Sequence, residues 1–387
     1  MKENHNISEY LVTEINSQVF FKEFTFSKNE FYPEGGTKEL ADNILILDDL
    51  LFIIQIKERN INEAKHSTEN WFKNKVLNKA KKQIKETSKY LKKYDSIPIV
   101  NRQNQTIDVS KVNLQNINKL IIYKCDVKLK EEYELLKFNE SKIEGLIHIF
   151  NINDYYNICE FLVTPSELDE YLKFREELFL KHREFVNSCK EQYIIAHFLN
   201  SDNTDFVNLD FLSNMSEYDS DLNSYRINNF MESFREKIRI PEQRQSNDYH
   251  ILIAEIAKLK RYELSEFKKR FLSIIETAKK NEFSLPLRFY ISRTDCAFIF
   301  LPLSMDKTTD WERALINFTE IYKYKKRATK AIGLVCFKQD EFIYLNWTML
   351  KSKWKFDEEL SQLVEKESEY YGEGEISKIP RYKFKKN

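Results

Sequence analysis

KELADNILILDDLLFIIQIKER, residues 38–59, is the stretch that decides the fold. Two apolar runs, residues 44–47 and 50–56, flank Asp48 and Asp49, and Gln55 is the one polar residue in the second run. Their β-branched content marks them as strands, and an Asp pair between them is acceptable turn chemistry. Neither run alternates apolar with polar. That is the pattern of strands covered on both faces, so the pair is expected at the centre of a sheet with helices on either side.

The simplest hairpin makes Asp48 and Asp49 its two turn residues. Leu47 then faces Leu50, Ile44 faces Ile53, and Asp42 faces Gln55. Directly paired residues point to the same side of a sheet, with Cβ atoms roughly 5 Å apart. Lys57, two residues beyond Gln55, points to that side as well. A carboxylate, an amide oxygen and an ammonium therefore converge at the open end of two apolar strands. Together they can hold a divalent metal and orient a water against a phosphate.

Asp42, Gln55 and Lys57 resemble the signature of the PD-(D/E)XK, or restriction-endonuclease-like, nuclease superfamily. In it an Asp opens one strand, and Glu or Gln, any residue, and Lys follow on the next. The Gln-x-Lys form is similar to that of Mrr-like nucleases. The resemblance covers residues 7 to about 160. It implies that Asp42 binds Mg²⁺, with Mn²⁺ as a substitute, and that Gln55 offers its carbonyl oxygen in place of the usual carboxylate. Lys57 would orient the attacking water and offset charge on the phosphate. The backbone carbonyl of Ile56, lying between them, is a further ligand candidate. Gln55 leaves the site one negative charge short, so weaker metal affinity is expected.

Residues 7–20 read as the first helix, with Leu11, Ile15 and Val19 on one face and Val12 beside them. Glu9 and Glu14 are its acids. The family's first helix often lends an acidic ligand, at a spacing that favours Glu9. FFKEFTF, residues 20–26, reads as the first strand, and Gly35-Gly36 breaks the segment that leads to Asp42.

A long helix is expected over residues 68–94, with Phe72, Val76, Leu77, Ala80, Ile84 and Leu91 inward. Residues 73–93 carry nine lysines against one acid, Glu86. Lys75, Lys79, Lys82, Lys89 and Lys93 form a stripe able to follow a phosphate backbone. AKKQ, ending at Gln83, resembles the A-x-x-Q of the family's helix after the catalytic strands, which implies that Gln83 faces the site. Strands follow at 119–125 and 144–151, then a helix at 154–162. Another helix is capped by Thr164 or Ser166, and residues 166–199 read as one long helix or a broken pair.

Beyond a polar connection at 200–248, a helix is expected over 250–281. Strands LRFYIS and CAFIFLPL, a helix opening at the Thr309–Glu312 capping box, and strands AIGLVCF and FIYLNWTML give a β–β–α–β–β order. Residues 357–375 are acidic and 378–387 basic.

Length and composition bound the rest. A chain of 387 residues suggests two domains, and 42% hydrophobic content supports a core. Net charge is zero, so nucleic acid must meet a local patch, not a basic molecule. The five cysteines are scattered and never in C-x-x-C, which is expected of reduced thiols in a cytoplasmic protein. No apolar run nears the length of a membrane span. Phosphate-loop, dinucleotide and serine-hydrolase motifs are all absent, and no histidine joins a metal-ligand cluster, although His66 follows Lys57 in a loop.

The expected fold class is α/β: a restriction-endonuclease-like α/β/α sandwich with a mixed central sheet at 1–165, a helical and loop-rich connection at 166–248, and a second α/β domain at 249–387. The expected function is a cytoplasmic Mg²⁺-dependent endonuclease cutting DNA, as a bacterial restriction or phage-defence effector. Its C-terminal domain would serve recognition, sensing or oligomerisation, through a partner protein or a second copy. The alternative is an inactive nuclease fold that binds nucleic acid or protein.

Overall fold

Helix α1 spans Ile7–Val19 and leads into three short strands, β1 (Thr25–Ser27), β2 (Glu30–Phe31) and β3 (Lys38–Glu39). The central pair follows as β4 (Asn43–Leu47) and β5 (Leu50–Arg59). This is a computed structural model, and the residues it describes are 7–27, 29–33, 36–60, 67–112, 116–216, 227, 248–282 and 284–368. Gly35, His66, most of the polar connection and the basic 378–387 segment lie outside them.

The register of the central pair is the one that the turn dictates. Leu47 faces Leu50, Ile44 faces Ile53, and Asn43 faces Ile54, which sets Asp42 opposite Gln55. Asp48 takes a positive φ of 48°, a conformation that Asp tolerates better than most residues.

The sheet is mixed. Its order is β1-β4-β5-β8-β10-β9, with β8 (Ile117–Cys125), β9 (Phe138–Ser141) and β10 (Gly145–Asn151). Strands β5, β8 and β10 run parallel, while β1 and β9 are antiparallel edges. Two small hairpins stand apart, β2 with β3, and β6 (Pro98–Val100) with β7 (Thr106–Asp108).

Each face of the sheet has its own core. Phe52, Ile54, Ile56, Leu120, Ile122 and Phe150 pack with α1 and with the helices α3 (Ile152–Phe161), α4 (Pro165–Lys181), α5 (Arg183–Ser188) and α6 (Glu191–Asn200). Leu51, Ile53, Ile121 and Ile149 pack with the lysine-rich helix α2. That helix runs through Thr68–Trp71, Phe72–Ala80 and Lys81–Lys93. Strand residues alternate between faces, so Gln55 and Lys57 share the α2 side with Ile53.

Several expectations need correction. The first strand is only Thr25–Ser27, because Phe20 to Phe24 form turns and Phe21 takes φ 68°. On α1 the fully buried residues are Ser8, Val12, Thr13 and Asn16, while Leu11 is exposed. The middle of α2, Phe72–Ala80, is π-helical and not α-helical, a wider turn that often marks functional helices. Residues 165–200 form α4 to α6, three helices and not one or two. They join the core of the first sheet instead of acting as a connection. The first compact unit accordingly runs to Asn223, and the second begins at Ser224. Thr164 is the cap of α4, its hydroxyl accepting from the Glu167 amide at 3.3 Å.

In the second unit the helix expected over 250–281 is two, α7 (Asp248–Ala257) and α8 (Arg261–Lys279). Glu263 Oε2 takes the Lys260 amide at 2.7 Å and starts a new helix there. The β–β–α–β–β order holds: β11 (Leu287–Ile291), β12 (Cys296–Leu303), α9 (Trp311–Lys326), β13 (Lys330–Gln339) and β14 (Phe342–Lys351), followed by α10 (Glu358–Ser368). Asp310, not Thr309, is the N-cap position of α9, and no side-chain cap bond forms there. The strands lie in chain order, with β12 and β13 parallel. Helix α9 approaches β13 at Gly333, where an added Cβ would meet Thr319 Oγ1 at 2.1 Å.

Candidate active site

The site is built where β5 leaves its pairing with β4. Asp42 lies one residue before β4 and is 9% exposed, and Gln55 is 2% exposed. The Asp42 carboxylate accepts the Ile56 backbone N–H at 2.5 Å, which continues the strand pairing through a side chain. Lys57 Nζ donates to Asp42 Oδ2 at 3.0 Å, to the Ile56 carbonyl at 2.7 Å and, at a longer 3.4 Å, to Gln55 Oε1. Asp42, Gln55, Ile56 and Lys57 are thus brought together on one side of the sheet.

Asp42 is held from behind. Asn43, the next residue, is fully buried. Its Oδ1 accepts from Asn16 at 2.9 Å and its Nδ2 donates to Thr13 Oγ1 at 3.0 Å. Tyr155 on α3 completes the chain by donating to Asn16 Oδ1 at 2.7 Å. These polar residues carry no recognisable motif, and their role was hidden in the sequence.

Glu39 is a second acid at the site that the signature does not include. Desolvation and the Asp42 carboxylate push its carboxyl up, while Lys57 and Lys79 oppose the shift. Its place in the sequence, three residues before Asp42 and on a strand, is the one signal that could have found it.

Helix α2 is pinned over this face. Asn139 donates to the Leu77 carbonyl at 2.6 Å, and Ser88 donates to Glu144 at 2.7 Å. Thr87 donates to the Leu40 carbonyl, two residues before Asp42, and to Gln83 O at 3.1 Å. Gln83 is therefore one turn from the point where α2 touches the Asp42 segment. Its Oε1 is buried and has no hydrogen-bond partner among the described residues. Lys75, Lys79 and Lys82 are exposed, and of these Lys79 is the one whose charge reaches Glu39.

The two acids of α1 are placed differently. Helix α1 covers the face of Ile54 and Ile56, opposite Gln55 and Lys57. The Ser8 amide bonds Glu58 Oε2 at 3.1 Å, so the start of α1 reaches the strand beside Lys57 from the other side. Glu9 is not among the groups bonded to Asp42 or Lys57. Glu14 is engaged by Arg102.

All the donors that meet at Lys57 are oxygens: one carboxylate, one amide and one backbone carbonyl. Hard divalent cations take such ligands, and Mg²⁺ is often bound by one or two carboxylates with water completing its shell. The donor chemistry therefore fits Mg²⁺ or Mn²⁺. Among the described residues no three His, Cys, Asp or Glu side chains gather as a metal site. All five cysteines are free thiols, and no described helix is long and apolar enough to cross a membrane.

Comparisons with protein-family models, with curated proteins and with solved structures return no match. The likeness to the nuclease superfamily rests on the residues themselves.

Proposed function

We propose that the first unit is a restriction-endonuclease-like domain that hydrolyses phosphodiester bonds of DNA with Mg²⁺. The observation that carries this reading is the meeting of Asp42, Gln55, the Ile56 carbonyl and Lys57 at the end of one antiparallel pair. The exposed lysines of α2 support it, since they lie on the helix that covers the same face.

Asp42 Oδ2, Gln55 Oε1 and the Ile56 carbonyl would hold Mg²⁺. When bound, the ion supplies Lewis-acid polarisation of the phosphate and acidifies water. Lys57 brings a positive charge to the phosphate oxygens, where negative charge grows in the transition state. The buried Asn43–Asn16 contact keeps Asp42 in place, so the carboxylate needs no reorganisation during the reaction. Lys75, Lys79 and Lys82 meet the substrate backbone. The second unit serves recognition, sensing or oligomerisation, and a role in restriction or phage defence follows from such a pairing.

One observation favours a second reading, a nucleic-acid-binding module without catalysis: no three-acid metal group is present among the described residues. Incubation of wild type, Lys57→Ala and Asp42→Asn with single- and double-stranded DNA and RNA, in Mg²⁺ or Mn²⁺, separates the two. Metal-dependent cutting of DNA by wild type alone supports the nuclease. Equal inactivity of all three proteins, with binding retained, supports the module.

A further inference from the structure

The Lys57 ammonium bonds three oxygens: Asp42 Oδ2 at 3.0 Å, the Ile56 carbonyl at 2.7 Å and Gln55 Oε1 at 3.4 Å. On the nuclease reading these are the same three oxygens that would ligate the divalent ion. A cation that draws on all three must sit on the side of them where the ammonium already lies. Ligand distances of about 2.1 Å for Mg²⁺ leave no room for a second cation bonded to the same set. Like charge adds to the exclusion, because the Lys57 side chain is only 12% exposed and water screens it poorly.

We infer that Lys57 is an internal counter-cation that fills the metal position of the metal-free protein, and that metal and ammonium exclude one another there. The inference rests on the nuclease reading for the identity of the ion. It has two consequences. The metal-free site is a neutral Asp42–Lys57 pair, not a bare buried carboxylate, which burial would penalise. Metal entry also sets the three N–H donors of Lys57 free together. They become available to phosphate oxygens only once the ion is in place, so ligand binding and lysine release are one event.

The test uses the full chain and Mn²⁺ as the probe. Lysine reactivity is followed by mass spectrometry with a water-soluble acylating reagent, with and without saturating Mn²⁺. Lys57 should be protected without metal and become several-fold more reactive with it, while Lys75 on the outer face of α2 stays constant. In parallel, Mn²⁺ affinity is read by electron paramagnetic resonance. Charge-assisted hydrogen bonds are strong enough that Lys57→Met should tighten Mn²⁺ binding by about tenfold or more. If that variant does not fold, the acylation pattern of wild type decides alone.

The failures are distinguishable. Suppose wild type binds Mn²⁺, Asp42→Asn loses it, and Lys57 stays as protected as before. The exclusion is then wrong and the nuclease reading stands. If wild type and Asp42→Asn bind Mn²⁺ equally poorly, the metal reading itself falls and takes the inference with it.

Discussion

Asn16 on α1 donates its amide to Oδ1 of Asn43, at 2.9 Å, one residue away from Asp42. Helix packing on one face of the sheet thereby fixes a carboxylate that points to the other face. Asn16→Leu would leave Asn43 Oδ1 and the Tyr155 hydroxyl without their partner in a buried setting. The expected loss is about 1–3 kcal/mol for each orphaned group. Urea unfolding measures it, and an unchanged midpoint would show that the contact has no structural weight.

Asp42→Asn should abolish metal-dependent cleavage while lowering stability only modestly. The amide oxygen can still accept the Ile56 N–H, so only the charge is lost. Asp42→Ala is different, because it strips both Ile56 and Lys57 of an acceptor, and should cost about 1–3 kcal/mol more. Cleavage rates and unfolding curves on the two variants check this. Comparable activity in wild type and Asp42→Asn would remove Asp42 from the mechanism.

Asp108 gives a pH-dependent handle outside the site. Burial would raise its carboxyl, but the amides of Ile97 and Ser110 and the hydroxyls of Ser110 and Ser96 outweigh that and hold it at about 2. Its folded value is depressed, so its stabilisation is present above its usual value of 3.8 and is lost as pH falls through about 2. Asp108→Ala should cost on the order of 2 kcal/mol at pH 7, and the gap to wild type should close below pH 3. A gap independent of pH would contradict the assignment.

Gly333→Ala should destabilise the second unit. A Cβ there would lie 2.1 Å from Thr319 Oγ1 and 2.8 Å from Leu315 Cδ1, and overpacking of this kind costs about 1–3 kcal/mol. Adding Thr319→Ala removes the closer clash and should restore part of the loss. Calorimetry on the single and double variants reads both changes.

Lys75, Lys79 and Lys82 should contact phosphates and not bases. Replacing all three with Gln should flatten the slope of log affinity against log salt by about two units, whatever the sequence. Helix content should barely change, since Gln and Lys have similar propensity. Titrations at several salt concentrations test it, and an unchanged slope would place the substrate elsewhere.

The centre of the fold was legible because Asp48 and Asp49 fix a two-residue turn, and a turn fixes a register. From that register Asp42, Gln55 and Lys57 follow without further information. What was not legible depends on partners distant in sequence. Strand β9 is four residues long and forms only against β10. Helices α4 to α6 resemble a connection until their apolar faces meet the sheet. Thr13, Asn16 and Asn43 look like surface residues, since nothing local says that they satisfy one another in the interior. Glu39 belongs to a two-residue strand too short to announce itself.

The π-helical stretch Phe72–Ala80 has a bearing on which changes of chain length α2 can accept. One residue corresponds to about 100° of rotation in an α-helix. Deleting a residue here would let the segment tighten into an ordinary α-helix, but it would also turn everything beyond it. Gln83, Thr87 and Ser88 would swing away from Leu40 and Glu144, and the lysine stripe with them. A substitution in this stretch is a local event, whereas a deletion re-aims the helix, so this domain should vary here by replacement and keep its count of residues.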